Sequence, residues 1–287
     1  MNTITHEKRC AVIRCLVDGC SIRATTRMTG VAKNTIQKLT RELGQACLDF
    51  QNNVFRNLKS QRVQCDEIWC FCYAKEKNLP DEMRGQPGVG SMWTWTALDA
   101  DTKLLFSWHF GNRDASSAYT FMKDIQDQLA HRVQLTTDSH NSYLNAVTDC
   151  FAEIDYAMLH KLYGKAETGS ETRYSPPKCN GTKKKVIMGN PDPAHISTSY
   201  IERQNLNFRM NNRRYTRLTN AFSKKADMLA YSFTITAMYH NFVRIHQTLK
   251  STPAMKAGVT DHLWSIEEMV DLLPEVACQI RTKKVSI

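Results

Sequence analysis

No stretch of this sequence approaches the ~20 uninterrupted apolar residues that would span a bilayer. The first residues, Met1-Asn2-Thr3-Ile4-Thr5-His6-Glu7-Lys8-Arg9, lack the apolar run of a signal peptide. A soluble, cytoplasmic protein is expected. The chain also lacks any Cys-x-x-Cys pair, although it has ten cysteines, which argues against a zinc ribbon. Cys65, Cys70 and Cys72 fall in an apolar run and read as small buried hydrophobes, reduced as cytosolic thiols normally are. Internal repeats and long low-complexity runs are missing too. Acid is scarce in two places. Residues 1–62 hold eleven Lys/Arg against four Asp/Glu, a balance of +7, and residues 173–225 hold twelve against two, +10. The whole chain carries +10, so the rest carries 10 − 17 = −7. Two basic regions therefore flank an acidic middle. Such regions commonly meet phosphate backbones.

The 287 residues include 42% hydrophobic ones, enough for a helical unit plus a larger α/β domain. Residues 1–48 read as a helix-turn-helix. Ala11, Ile13, Leu16 and Val17 form the inner face of a first helix ending at Gly19. Ser21 caps a short second helix, Gly30 supplies the turn, and a third helix runs from about Ala32 to Cys47. In that motif the last helix enters the DNA major groove by its first residues, here Lys33, Asn34, Thr35, Gln37 and Lys38. Asn and Gln read adenine, and Lys reads guanine or phosphate. An ordinary three-helix bundle with a polar face is the alternative.

Residues 49–62, polar and without period, read as a linker. From residue 63 the pattern turns to strands, at 63–73, 91–98 and 103–110, followed by a helix at 115–130, a strand at 133–137, a helix at 141–150 and a strand at 154–159. This order predicts a mixed sheet with helices on both faces. Residues 164–194, rich in Gly, Pro, Lys and Thr and containing Lys183, Lys184 and Lys185, read as a long insert loop in a domain running to 260. Helices follow at about 198–212 and 220–243, and residues 261–287 read as a C-terminal tail.

Three acids stand out. Asp66 interrupts an apolar strand, where an unpaired carboxylate is costly. Taken alone, it or Glu67 could simply face water at a sheet edge. Asp138 ends a strand, where α/β sheets place their sites, though it would serve equally as a helix N-cap. Glu202 is the only acid between Pro193 and Ala226, among Arg203, Arg209, Arg213, Arg214 and Arg217. Three carboxylates brought together repel unless cations neutralise them, and hard Mg²⁺ or Mn²⁺ prefers oxygen ligands of this kind. Glu67, Asp99 and Asp149 are read as bystanders.

Cys65-Asp66-Glu67-Ile68-Trp69, Thr137-Asp138-Ser139, Tyr200-Ile201-Glu202-Arg203-Gln204-Asn205 and Phe208-Arg209-Met210-Asn211-Asn212-Arg213-Arg214 together resemble the DDE transposases of bacterial insertion sequences, most closely the family of insertion sequence one. His240-Asn241-Phe242, His246-Gln247 and Thr252-Pro253-Ala254 look like the tail of integrase-type cores. The resemblance spans roughly residues 20 to 260. It departs in one respect, since family members often carry an N-terminal zinc-binding segment and no such cysteine spacing is present.

The resemblance implies a ribonuclease-H-like core in which Asp66, Asp138 and Glu202 hold two Mg²⁺ or Mn²⁺ ions. It implies strand cleavage at the element's ends and strand transfer into double-stranded target DNA. Arg209, seven residues beyond Glu202, would touch phosphate. Synapsis of two ends implies a homodimer or higher assembly on DNA. A non-catalytic helix-turn-helix regulator derived from a transposase, and a purely hydrolytic nuclease of the same fold, remain the alternatives.

Overall fold

The computed structural model describes residues 4–164 and 179–274. Its N-terminal part is all helical: α1 (His6–Val17), α2 (Ile22–Thr29) and α3 (Lys33–Val54). Ser21 caps α2 by accepting from the Ala24 amide at 3.1 Å. Gly30 ends that helix in the left-handed region (φ 69°), which a residue without Cβ adopts without strain. The third helix runs well past Cys47, through the first part of the segment expected to be a linker. Gln51, polar in sequence, is fully buried there and reaches back to the Cys47 carbonyl at 3.1 Å. The side chains of Cys47 and Phe50 keep an apolar stripe running toward Phe242 and Trp264.

The remainder is a mixed sheet flanked by helices, formed by β1 (Arg62–Cys72), β2 (Gly90–Asp99), β3 (Leu105–Gly111), α4 (Ala115–Gln128), β4 (Gln134–Asp138), α5 (Ser142–Cys150), β5 (Asp155–Tyr163), β6 (Cys179–Met188), α6 (Ser199–Asn211), α7 (Ala226–Met238), α8 (Pro253–Lys256) and α9 (Ile266–Val270). The strand order is β3-β2-β1-β4-β5-β6. β1, β2 and β3 pair antiparallel, β1, β4 and β5 pair parallel, and β6 returns antiparallel on β5. Three antiparallel strands continued by two parallel ones agree with the mixed sheet expected from the sequence. Strand alternation gives β1 two apolar faces. Val63 and Cys65 join a core with α4, α5 and the N-terminal helices, while Ile68, Cys70 and Cys72 pack under α6 and α7 with Ile201, Phe208 and Phe233.

Three expectations are corrected. Lys183, Lys184 and Lys185 lie in β6 rather than in a loop, because their backbone completes the edge pairing of β5. Residues 165–178 of the expected insert lie outside the described residues. The helix expected over 220–243 starts only at Ala226. Before it, Ser223 pairs with the end of β1 at Cys72, and after Met238 the helix widens into a π turn, Tyr239–Val243. Part of the expected tail is built into the fold: α9, closed by a Ser265/Glu268 capping box, packs on α1, with Arg14 paired to Glu267. Among the described residues no helix is long and apolar enough to cross a membrane.

Candidate metal centre

β1 and β4 pair only from Arg62/Gln134 to Gln64/Thr136. Beyond that point the two strands leave a gap at the carboxyl ends of parallel strands, the place where such sheets build crevices. Asp66 and Glu67 enter the gap from β1 and Asp138 from the last residue of β4. One carboxylate oxygen of each lies within 4.8 Å of the others. These three residues could coordinate a divalent cation.

Each carboxylate is held differently. Asp66 accepts from the Asn205 side-chain amide of α6 at 2.8 Å. Surrounding protein, followed by the charge of Asp138, pushes its pKa up to about 7, against the lowering effect of that amide. The side chain of Glu67 is only 1% exposed. Burial and then Asp138 push its pKa up to about 8, while Arg113 pulls the other way. The Arg113 guanidinium bridges the pair, 3.0 Å from Glu67 Oε2 and 3.3 Å from Asp138 Oδ2, and lies over the Trp93 ring. Asp138 also accepts from the His140 amide at 2.9 Å.

Glu202 sits in the first turn of α6, outside the three-residue cluster. It is ion-paired with Lys161 of β5 and accepts from the Thr198 hydroxyl. It is near enough for its charge to raise the Asp66 pKa. Gln64 fixes the start of this helix against β1, its side-chain oxygen accepting from the Tyr200 amide at 2.9 Å and the Ile201 amide at 3.2 Å.

The donor set suits a hard divalent ion. It is made of carboxylates alone, and Oε1 of Glu67, buried beside the Tyr143 hydroxyl, keeps acceptor capacity that a cation would use. Burial first, and the neighbouring Asp138 second, raise the pKa values of two of the three acids.

The sequence points to Asp66 and Asp138 and leaves Glu67 a bystander, whereas the structure gathers all three. Strict alternation along a strand would send Glu67 to the face opposite Asp66. The gap beside β4 lets both reach Asp138. The signal available in the sequence was the adjacency of two acids in an apolar strand. Asp99, by contrast, folds back to accept from the Asp101 and Thr102 amides in the β2–β3 turn and stays outside the cluster.

The other expected residues are spread over three surfaces. Lys33, Asn34, Thr35, Gln37 and Lys38 occupy the first turns of α3, with Lys33, Asn34 and Lys38 exposed. Lys183, Lys184 and Lys185 are exposed on β6, where Lys184 bonds the Pro193 carbonyl. Arg203 is exposed on α6. Arg209 is half-buried, its guanidinium carrying a buried nitrogen without a partner and a pKa lowered by burial and then by Arg217. Arg213 and Arg214 follow α6, and Arg214 donates to the Ser223 hydroxyl at 2.9 Å. In the segment after α7, Asn241 is used structurally: its side chain brackets β3 by accepting from the Leu105 amide at 3.0 Å and donating to its carbonyl at 2.7 Å.

Neither a protein-family model nor a curated protein matches the chain. Among solved structures, the Mos1 strand transfer complex aligns at 13% identity with a TM-score of 0.22, covering 52% of this chain and 56% of that one. The Mos1 transposase paired-end complex with left transposon end aligns at 12% identity with a TM-score of 0.21, covering 52% and 57%. The chain thus spans little more than half the length of these structures. Similarity at this level leaves its chemistry to be read from its own sheet and carboxylates.

Proposed function

We propose that the chain is a DDE-type DNA transposase that cleaves strands at the ends of an insertion sequence and joins them to target DNA. The observation that carries this reading is the acidic cluster of Asp66, Glu67 and Asp138 in the gap between β1 and β4, set in a chain of net charge +10. Carboxylates gathered this way serve poorly as a phosphate site by themselves, because they repel the substrate. They serve well when divalent cations stand between them and the phosphate.

Asp66 and Asp138 would be the ligands common to the sequence motif and the cluster. Glu67 adds a third oxygen donor, and Glu202 flanks them from α6. Two Mg²⁺ or Mn²⁺ ions held there would supply activation of a water or a DNA 3′-hydroxyl and neutralise charge at the phosphate. The chain's own groups do the rest. Asn205 and Arg113 orient carboxylates. Arg209, half-buried on α6, would donate to a phosphate oxygen. Arg203, Arg213, Arg214 and Lys183 to Lys185 give affinity for double-stranded DNA with little sequence choice. Lys33, Asn34, Thr35, Gln37 and Lys38 of α3 would add nucleic-acid contacts from the N-terminal helices. Pairing of two element ends calls for a homodimer or larger assembly on DNA.

The test uses labelled duplexes carrying the DNA that flanks the gene, incubated with Mg²⁺ or Mn²⁺. Cleavage, plus joining of pre-cleaved ends to a target plasmid, is expected, and both are lost with chelator and in Asp66→Asn. Cleavage without joining would identify a hydrolytic nuclease instead. DNA binding without either reaction would identify a regulator.

A further inference from the structure

The three N-terminal helices are not a free head. Gly19, in the turn after α1, lies so close to α6 that an added Cβ would meet the Met210 carbonyl at 2.8 Å. Gly44 of α3 packs on the backbone of Tyr231 in α7, and Arg41 pairs with Asp227 at 3.4 Å. Docking of this kind puts the first turns of α3 opposite the segment that joins α6 to α7. Between them lies a groove of about 770 Å³, with Lys33, Asn34, Gln37 and Lys38 on one wall and residues of the 212–225 segment on the other.

The lining of this groove contains eight Lys/Arg and no Asp or Glu. Lys38 and Arg41 have carboxylate partners outside the lining, in Glu42 and Asp227. Arg23, Lys33, Arg213, Lys224 and Lys225 have none among the described residues. The first turn of α3 adds to this field, since Ala32 offers no side-chain cap and the leading amides stay open. Cations converging from two sides without a counter-charge favour a polyanion. The two basic regions of the sequence thus face each other as one surface.

The second wall also limits what can enter. For α3 to lie in a major groove about 12 Å wide, both phosphate ridges of a duplex must pass on either side of it. Arg213, Lys224 and Lys225 line the wall that faces α3, on a side where one of those ridges would have to pass. A single strand needs no such clearance, and a basic groove that tracks one backbone is the usual form of single-strand sites. We propose that this groove between α3 and the 212–225 segment binds a single-stranded stretch of polynucleotide, with Lys33 and Lys225 holding phosphates from opposite walls.

This deepens the transposase reading, which deals with cut and displaced strands, but stands on its own measurement. The full-length chain is titrated against a fluorescent thymidine oligonucleotide and against a duplex of equal length, over a series of salt concentrations without divalent metal. The wild type should prefer the single strand. Lys33→Ala and Lys225→Ala, both exposed substitutions, should each lower the slope of log affinity against log salt by about 0.7, the value for one phosphate contact on a single strand. Lys77→Ala, an exposed change elsewhere, should leave it unchanged, and thermal unfolding verifies that all three variants fold. Loss with Lys33→Ala but not with Lys225→Ala would mean an independent recognition helix and overturn the shared groove. So would loss with Lys225→Ala alone, no effect from either, or a preference for the duplex. A chain that binds single strands through both lysines yet never cleaves DNA would refute the transposase and leave the groove standing. Metal-dependent cleavage with unaltered single-strand binding in both variants would do the reverse.

Discussion

Asn205 of α6 donates its side-chain amide to the Asp66 carboxylate of β1 at 2.8 Å. The Thr96 hydroxyl of β2, which donates to the Asp66 carbonyl at 2.9 Å, also lies 3.3 Å from the Asn205 side-chain oxygen, so the amide nitrogen is the end turned to the Asp66 carboxylate. Asn205 is therefore a positioning residue for the cluster. Asn205→Ala should weaken Mn²⁺ binding about 10- to 100-fold, the range for groups that orient metal ligands. Asn205→Asp keeps the shape, loses the donor to Asp66 and adds a fourth carboxylate, whose attraction for the cation should raise rather than lower Mn²⁺ affinity. Calorimetric titration of Mn²⁺ checks this. Unaltered affinity in both variants would reduce Asn205 to a packing residue.

Glu67 separates the cluster seen in the structure from the triad read in the sequence. If the carboxylates act as one site, Asp66→Asn, Glu67→Gln and Asp138→Asn should each depress Mn²⁺ binding and abolish strand cleavage and transfer together. Folding should survive, because each amide removes a charge from a crowded group. Full activity in Glu67→Gln would return that residue to the role of bystander. Glu202→Gln frees Lys161 of its partner, and should abolish cleavage if Glu202 joins the site when DNA is bound.

The arginine that bridges the acids allows a stability test that needs no DNA. Arg113→Ala leaves Glu67 buried without its ion partner, which should cost about 1–3 kcal/mol in urea unfolding at pH 9, above the Glu67 pKa of about 8, without metal. Glu67→Gln in the same chain should recover most of that loss, since no charge is then left unpaired. Additive effects in the double-mutant cycle would rule out the coupling. Added Mn²⁺ should stabilise the wild type by mass action.

How far the sequence revealed this molecule can be judged from individual elements. The five core strands were visible because alternating and apolar runs are bounded by turn residues, and Asp138 was visible because it ends one of them. β6 was hidden. Cys179–Met188 is a polar, lysine-rich edge strand whose burial pattern carries no alternation, so only its partner β5 defines it. The extension of α3 to Val54 was hidden for a related reason: Gln51 is polar in sequence but buried by tertiary packing. Asp66 could be singled out locally, whereas Arg113, Asn205 and Lys161 reach the acids only through the order of strands and the docking of α6. Contacts of that kind leave no short-range pattern.

Docking of the N-terminal helices on the core can be tested at Gly44. An added Cβ would meet Tyr231 Cβ at 2.5 Å and its Cα at 2.8 Å, the second a backbone atom that a side-chain rotation cannot move. Gly to Ala inside a helix is normally favourable by about 1 kcal/mol. Here overpacking should outweigh that gain and destabilise the chain by roughly 1–3 kcal/mol net of propensity. Hydrogen exchange should show faster opening along α3 and α7 together. A stabilised Gly44→Ala protein would mean that α3 is not seated on α7.

The dependence of stability on pH should carry the mark of His240. Its ring is buried, and Nε2 donates to the Lys103 carbonyl at 3.1 Å. Burial is the main cause that lowers its pKa from 6.5 to about 4. The bond to Lys103 opposes that shift, and the nearby His246 and Arg244 add to it. The folded state therefore keeps the ring neutral where the unfolded chain would protonate it. With the folded pKa below the unfolded one, the stability held by this residue is complete above pH 6.5 and disappears as pH falls toward 4. The shift corresponds to roughly 3 kcal/mol. His240→Gln keeps a donor for Lys103 and removes the titration. Asp66 and Glu67, whose raised values shift stability in the opposite sense toward neutral pH, are common to both proteins and cancel in the comparison. The difference in unfolding free energy between wild type and His240→Gln should therefore decline between pH 6.5 and 4 and be flat above pH 7. A difference independent of pH over that range would show that His240 titrates normally and that its burial does not govern its charge.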